Sequence, residues 1–392
     1  MRVAHVITRL IVGGAQENTL LTCEGLTRDF GDQVLLITGP PLGPEGSLLE
    51  QGRAGGTPIE VLPGLRRAIN PWHEWQSYRR LKRVLADFKP DVVHTHSAKA
   101  GILGRLAAHK LRVPAIIHTV HGAAFYPGQG RWGRAGVRFA ERRAAAWTHA
   151  FISVADAMTD QMVAEGVAPR EKFTTIYSGM DVEPFLRSGE HRERMRRELG
   201  YQPGHVVIGK VGRLFHLKGH ADIVAVAKQI VAERPEVRFL FVGDGILRDA
   251  LSKQIAEAGL TSHFHFTGLV PPERIPELLS AMDIVVHTSL REGLARVLPQ
   301  GLIAGKPVVS YDVDGAREVV ITGETGELIA PRDLARLSAV LIKLAGDPAK
   351  RERLGLEGRR RFAQVFRHQH MTAAIRKVYE RVLESRGTAV EP

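Results

Sequence analysis

Two cations and a glutamate stand where short apolar runs give way to helical patterns, a placement that suits a phosphate-bearing ligand. Arg213 and Lys218 follow the run VVIGKVGRL, and Gly219 opens the next helical pattern. Both cations can therefore hang over the C-terminal end of a strand, where a diphosphate would rest and where fixed positive charge would balance the charge growing on it as a bond breaks. Residues 283–320 read DIVVHTSLREGLARVLPQGLIAGKPVVSYDVDGAREVV. Two apolar runs in that segment have the character of strands covered on both faces. Between them a helical stretch is expected to open at Glu292 and Gly293 and to close at Ala304-Gly305-Lys306-Pro307. A helix N-terminus beyond the end of a parallel strand offers N–H groups and a positive dipole end.

The elements that must hold these groups alternate along the whole chain. Strand-like runs fall at 2–8, 33–38, 91–95, 115–119, 149–154 and 173–177, then at 206–211, 237–242, 263–267, 283–287 and 307–310, with helical patterns between them. That alternation predicts two parallel sheets with crossover helices, hence an α/β chain of two Rossmann-like domains. A length of 392 residues agrees, being long for one core. The polar stretch LRSGEHRERMRRELGYQP, 186–203, separates the two series, and after Asp333 only helices are expected. The single cysteine, Cys23, excludes an internal disulfide and reads as a small buried residue. No run is long enough for a membrane-spanning helix, and the first residues read as strand plus glycine turn instead of a signal peptide. A cytosolic protein, or a peripheral one at the inner face of the plasma membrane, is the expectation. The formal charge of +12 admits nucleic acid, an anionic membrane or an acidic substrate. Nucleic acid is not expected, because no helix-turn-helix, zinc-finger or RNA-binding aromatic pattern occurs.

Several motifs, in order, resemble those of the family-4 glycosyltransferases. They are Gly13-Gly14-Ala15-Gln16, His94-Thr95-His96-Ser97, Thr119-Val120-His121-Gly122, Ser178-Gly179-Met180-Asp181, Val211-Gly212-Arg213-Leu214 with Lys218-Gly219, Val242-Gly243-Asp244-Gly245, Phe266-Thr267-Gly268 and the 283–320 segment. The resemblance implies the GT-B architecture, two Rossmann-like domains with parallel sheets facing across a cleft. Residues 1–185 would form the acceptor-side domain, 186–203 the linker region, 204–367 the nucleotide-sugar domain, and 368–392 a helix returning to the first domain and a tail. It also implies a retaining transfer from a nucleotide diphosphate sugar, UDP-linked, to a glycan or lipid-linked acceptor in bacterial surface-polysaccharide assembly. Neither metal nor other cofactor is called for.

By the same resemblance His121, Arg213, Lys218 and Glu292 are the catalytic set, with Glu292 at the donor sugar hydroxyls and His121 reaching that sugar from the first domain. The backbone of Gly293, Leu294 and Ala295 would face sugar and phosphate oxygens. Gly13 and Gly14 would bring backbone close to the ligand, or merely ease a turn before a helix beginning near Ala15. Gly212, Asp244 and Gly245 would line the nucleotide pocket, although Asp244 also reads as a helix cap. The family's second glutamate is here Gln300, which still accepts a hydrogen bond but without charge assistance. His94 and His96 alternate with Thr95 and so share one face of a strand end, and acceptor contact and a structural role are both open. Their spacing suits a metal, yet no third ligand is apparent. His118 reads as structural. Asp312-Val313-Asp314 looks like a metal-binding Asp-x-Asp but sits in the family's Asp-x-Gly-Gly segment, with Asp314 in place of a glycine.

Arg131, Arg134, Arg138 and Arg142 recur at helical steps, and Arg66, Arg67, Trp72 and Trp75 add a second basic-aromatic segment. A solvated face accounts for them, and so does an anionic membrane surface. Two rival functions remain at this level: a nucleotide-sugar epimerase of the same architecture, and a glycan-binding or assembly protein that no longer turns over.

Overall fold

The computed structural model describes residues 1–42, 46–68, 70–122, 124–126 and 128–387. The expected tail beyond 387 lies outside them. The chain forms two compact units, one of Met1–Met180 with the residues from Phe366 onward, the other Asp181–Val365.

The first unit holds seven strands: β1 (Arg2–Ile7), β2 (Gln33–Thr38), β3 (Ile59–Val61), β4 (Val92–His96), β5 (Ala115–Val120), β6 (Ala150–Ser153) and β7 (Phe173–Thr175). All pair in parallel, in the order β3-β2-β1-β4-β5-β6-β7. The second unit holds β8 (Val206–Val211), β9 (Val237–Val242), β10 (Phe264–Phe266), β11 (Ile284–His287), β12 (Val308–Tyr311) and β13 (Gly326–Ile329). These are likewise parallel, in the order β10-β9-β8-β11-β12-β13. The two-sheet α/β expectation is borne out.

Central strands such as VVHTH and IVVH are buried along their whole length because helices cover both sheet faces. In the first unit, Leu81 and Leu85 join Ala100, Ala107 and Ala108 over one face, while Leu20, Cys23 and Leu26 join Met371, Ile375 and Val378 over the other. Each large apolar side chain so buried is worth about 1.5–3 kcal/mol. The C-terminal helix His368–Ser385 thus completes the first unit, packed on the helix Gly14–Phe30.

Three expectations need correction. Edge strands β3 and β13 were not anticipated. The segment 186–203, expected to be the linker region, is structured. It carries the helix Arg192–Glu198, whose buried Arg196 binds Asp283 Oδ2 at 3.1 Å and the carbonyls of Gln202 and His205 at 3.0 and 2.6 Å. Asp283 in turn accepts the Val207 N–H at 2.7 Å, so a polar-looking stretch is fastened to the strands it precedes. The chain leaves the first unit at Met180 and re-enters it at Phe366, where Met180 N–H meets the Phe366 carbonyl at 2.8 Å.

Candidate active site

In the second unit the turns after β8 and β11 are stitched together. Leu290 N–H and Ser289 Oγ donate to the Leu217 carbonyl at 2.8 and 3.1 Å, and Thr288 Oγ1 donates to the Gly219 carbonyl at 2.6 Å. Gly219 makes this approach possible, since φ is +67° and a Cβ would lie 1.9 Å from the Thr288 carbonyl oxygen. The consequence is a salt bridge between Lys218 Nζ and Glu292 Oε1. On its other side Glu292 meets His287 Nε2 at 3.5 Å. Burial alone would raise the Glu292 carboxyl, but His287 and Lys218 outweigh it and hold the group well below the usual carboxylate range.

Glu292 does not open a helix. The helix is Val297–Ile303, and Glu292, Gly293, Leu294 and Ala295 form the loop before it. Pro299 explains the shift: it lacks an N–H, which a first turn tolerates and a helix interior does not. The loop is instead fixed from Asp314, whose Oδ2 accepts the Glu292 N–H at 2.7 Å, and from Gly315, whose N–H meets the Gly293 carbonyl at 2.9 Å. Asp314 has φ +48°, a left-handed conformation that suits glycine or Asp. Asp312 is occupied separately, paired with both arms of Arg317 at 3.0 and 2.8 Å. Gln300 lies half-buried in the short helix, its N–H on the Arg296 carbonyl.

Arg213 is exposed, with its guanidinium 5.4 Å from the Phe215 ring centroid. Its loop is paired with the next strand-to-helix turn, for Gly212 N–H meets the Val242 carbonyl and Leu214 N–H meets the Asp244 carbonyl, each at 2.9 Å. The Asp244 side chain accepts the Gly245 N–H at 2.7 Å. It shapes the turn and caps no helix, since the following one begins at Arg248 behind Leu247.

Sequence reasoning passed over Lys210 and His287. Lys210 is buried under this site, with Nζ 3.2 Å from Thr288 Oγ1, and burial followed by the Lys218 charge lowers its pKa to about 7. His287 is lowered to about 4 by burial. The available signals were a lysine interrupting the apolar run VVIGKVG and a histidine closing IVVH.

In the first unit, Gly13 precedes the helix Gly14–Phe30, as its turn-forming pattern implied. His121, half-buried after β5, joins a hydrogen-bonded series. His121 Nε2 meets His96 Nδ1 at 2.9 Å, and His96 Nε2 meets His5 Nδ1 at 3.0 Å. His5 Nε2 lies 3.5 Å from the Tyr379 hydroxyl, which bonds His94 Nδ1 at 2.5 Å, and His94 Nε2 meets Thr119 Oγ1 at 2.6 Å. Burial drives His5 to about 3 and His121 to about 4, which favours the neutral ring, with one nitrogen to donate and the other to accept. His94 and His96 are wholly buried. His5 is the third histidine the sequence did not reveal; nitrogen atoms of His5, His94 and His96 lie within 4.8 Å of one another. His118 bonds Thr95 Oγ1 at 2.8 Å in the core.

Known proteins share this organisation. Residues 191–361 match the family model for glycosyl transferases group 1, and residues 13–179 match that for a glycosyl transferase 4-like domain. The chain is 28% identical over 353 residues to the UDP-Gal:alpha-D-GlcNAc-diphosphoundecaprenol alpha-1,3-galactosyltransferase of Escherichia coli, covering 88% of each chain. It is 28% identical to the putative glycosyltransferase EpsD of Bacillus subtilis (strain 168), covering 72% of this chain and 74% of that one. A crystal structure of Anabaena HepE in complex with UDP and glucose superposes with a TM-score of 0.82 at 22% identity, over 96% of this chain and 99% of that chain, and shows the same fold.

Proposed function

This chain belongs to the family-4 glycosyltransferases of GT-B architecture, and we propose that it moves a sugar from a UDP-linked donor to a glycan or lipid-linked acceptor in bacterial surface-polysaccharide assembly. One observation carries the reading: Lys218 and Glu292 are joined at the C-terminal ends of two neighbouring parallel strands, with Lys210 behind them. Such an end is where α/β sheets receive ligands, and the paired charges offer a cation to a diphosphate and a carboxylate to sugar hydroxyls. The named donor of the Escherichia coli relative and the UDP bound by HepE support a uridine nucleotide, and the former's diphosphoundecaprenol substrate supports a lipid-linked acceptor.

Transfer proceeds in this reading with retention and without a metal. The bond from the anomeric carbon to the diphosphate oxygen breaks as the acceptor hydroxyl bonds that carbon on the same face, and the acceptor proton passes to the departing phosphate. Arg213 and Lys218 stabilise the charge on the diphosphate. Glu292 is held between Lys218 and His287, so it serves as a hydrogen-bond acceptor for the sugar and not as a nucleophile. The protein supplies orientation and electrostatics. Asp312 and Asp314, each committed to a protein partner, support metal independence.

Thermal shifts with UDP, GDP, ADP and their sugars test the donor class, because a ligand of the native state raises stability with its affinity and concentration. Stabilisation by UDP and one UDP-sugar is expected. The anomeric configuration of the product, and turnover with and without chelator, then check the mechanism. Absence of a shift with every nucleotide would remove the donor assignment.

A further inference from the structure

The hydrogen-bonded series that ends at His121 holds one more hydrogen than it has links. Its other members are His5 from β1, His94 and His96 from β4, Thr119 from β5 and Tyr379 from the helix His368–Ser385. Parallel register sets His5 beside His94 and His96 beside Thr119. The strand period of two turns these side chains to the face where Val3, Val92 and Ile117 meet the C-terminal helix. All are buried except His121, which is half-buried just past β5.

Burial favours the neutral form in all four rings and keeps the hydrogen on Tyr379. A neutral imidazole has one N–H and one bare nitrogen, so a ring with a partner on each side donates in one direction and accepts from the other. Thr119 and Tyr379 add one O–H each. These six groups therefore bring six hydrogens to five links: Thr119–His94, His94–Tyr379, Tyr379–His5, His5–His96 and His96–His121. If His121 Nε2–H donates to His96 and the series runs inward to a His94 Nε2–H donating to Thr119, the hydrogen left over is that of the Thr119 hydroxyl. Thr119 is 2% exposed, and its hydroxyl has no other partner among the described residues. If Tyr379 accepts from both neighbours, its own O–H is the one stranded in the core. A buried donor without a partner loses its hydration with nothing in return. In the opposite direction Thr119 donates to His94 Nε2, His94 Nδ1–H to Tyr379, Tyr379 to His5 Nε2, His5 Nδ1–H to His96 Nε2, and His96 Nδ1–H to His121 Nε2. The hydrogen left over then sits on His121 Nδ1, at the half-exposed end, the one ring nitrogen of the series with no partner among the described residues.

We propose that Thr119, His94, Tyr379, His5 and His96 are positioning residues that hold His121 in its Nδ1–H tautomer, so that it presents a fixed hydrogen-bond donor to a hydroxyl oxygen of the donor sugar. The inference rests on the transferase reading, in which His121 is the group that reaches that sugar. Free histidine favours the other tautomer, Nε2–H, so the series acts against the ring's own preference. Its direction is set at the inner end, by a threonine hydroxyl that has nowhere else to place its hydrogen, and is passed outward through a tyrosine of the last helix. A ring fixed in one tautomer meets its ligand without first having to move a proton, which is the preorganisation that binding and transfer both need.

The test is long-range nitrogen–proton correlation spectroscopy of the full chain, isotope-labelled at its histidines, above neutral pH, with the His121 signals identified by their loss in His121→Ala. The Nδ1–H tautomer is expected in the parent. Tyr379→Phe cuts the series, and Thr119→Val takes the hydrogen from its inner end. In either variant both directions leave one buried nitrogen unpaired, so the bias is lost and His121 should become a mixture of tautomers. Thr119→Ser returns the hydroxyl and should return the parent tautomer. A donor that needs the Nδ1–H form binds only the fraction of protein that has it, so kcat/KM for the UDP-sugar should fall in step with that fraction, about twofold at an even mixture, while UDP affinity holds. In a His121→Ala background Tyr379→Phe should cost nothing further. An Nε2–H tautomer at His121 in the parent would overturn the proposal, whatever the stability of the variants. So would folded variants that keep the parent tautomer, or an active enzyme whose kinetics ignore it. Stoichiometric zinc in the purified chain would also overturn it, assigning His5, His94 and His96, whose nitrogen atoms lie within 4.8 Å of one another, as ligands. The spectra need neither donor nor turnover, so the tautomer is decided separately from the transferase reading, on which only the kinetics depend.

Discussion

Asp314 Oδ2 accepts the backbone N–H of Glu292 at 2.7 Å, so the turn after β12 fixes the loop after β11. The same Asp holds φ +48°, where a β-branched residue is strained. Asp314→Asn keeps both the acceptor oxygen and the tolerance for this backbone, and it should melt and turn over like the parent. Asp314→Val should lose the bond and add strain, for a destabilisation of about 2 kcal/mol and a clear fall in kcat. Parent-like kinetics in a folded Asp314→Val protein would remove this contact from the site.

Arg213→Ala and Lys218→Ala should each lower turnover by about two orders of magnitude, the size expected for removing a preorganised charge stabiliser. Lys218→Ala also deprives Glu292 of its cation, so the carboxyl should titrate closer to its ordinary range. Steady-state kinetics with the donor identified by thermal shift measure the first effect, and the acid limb of the pH profile measures the second. Normal turnover in both variants would dismantle the proposed diphosphate clamp.

Lys210 gives a pH dependence whose sign is fixed by its depressed pKa. In the folded chain it loses its proton near pH 7, against 10.5 for an ordinary lysine, so between those values the unfolded chain binds more protons. Stability therefore rises with pH across that window, by up to about 1.4 kcal/mol per pH unit. Lys210→Met removes the term. The variant should be more stable relative to the parent at pH 6.5 than at pH 9, measured by denaturant melts at both. A pH-independent difference would mean that Lys210 keeps its proton throughout.

Gln300→Leu should weaken UDP binding by leaving a ribose hydroxyl unpaired, and Gln300→Glu should shift affinity by at most about tenfold, roughly 1.4 kcal/mol. Titration calorimetry reads both. If the leucine variant is folded and binds UDP as the parent does, Gln300 is a helix residue only.

Features that depend on period and order were legible in the residues alone. Apolar runs spaced by helical patterns require parallel sheets covered on both faces, and the motif order assigned Lys218 and Glu292 to strand ends on the second of them. It did not reveal what depends on approach between distant turns. Lys218 meets Glu292 because Gly219 lets its turn lie against the Thr288 carbonyl, a contact between segments some seventy residues apart that no local pattern encodes. The helix starts at Val297, with Pro299 in its first turn, and Asp314 holds the Glu292 N–H that a helix opening at Glu292 would leave free to a ligand. His94 and His96 looked ready for a ligand on spacing alone. Only tertiary packing brought His5 and Tyr379 beside them, the latter from the last helix of the chain, and turned that pair into a buried hydrogen-bonded series ending at His121. The arginine row of 131–142 was legible as a helical repeat, but only the fold brings Glu165, just past the end of another helix, against Arg134 and Arg138 and leaves Trp132 and Phe139 outermost.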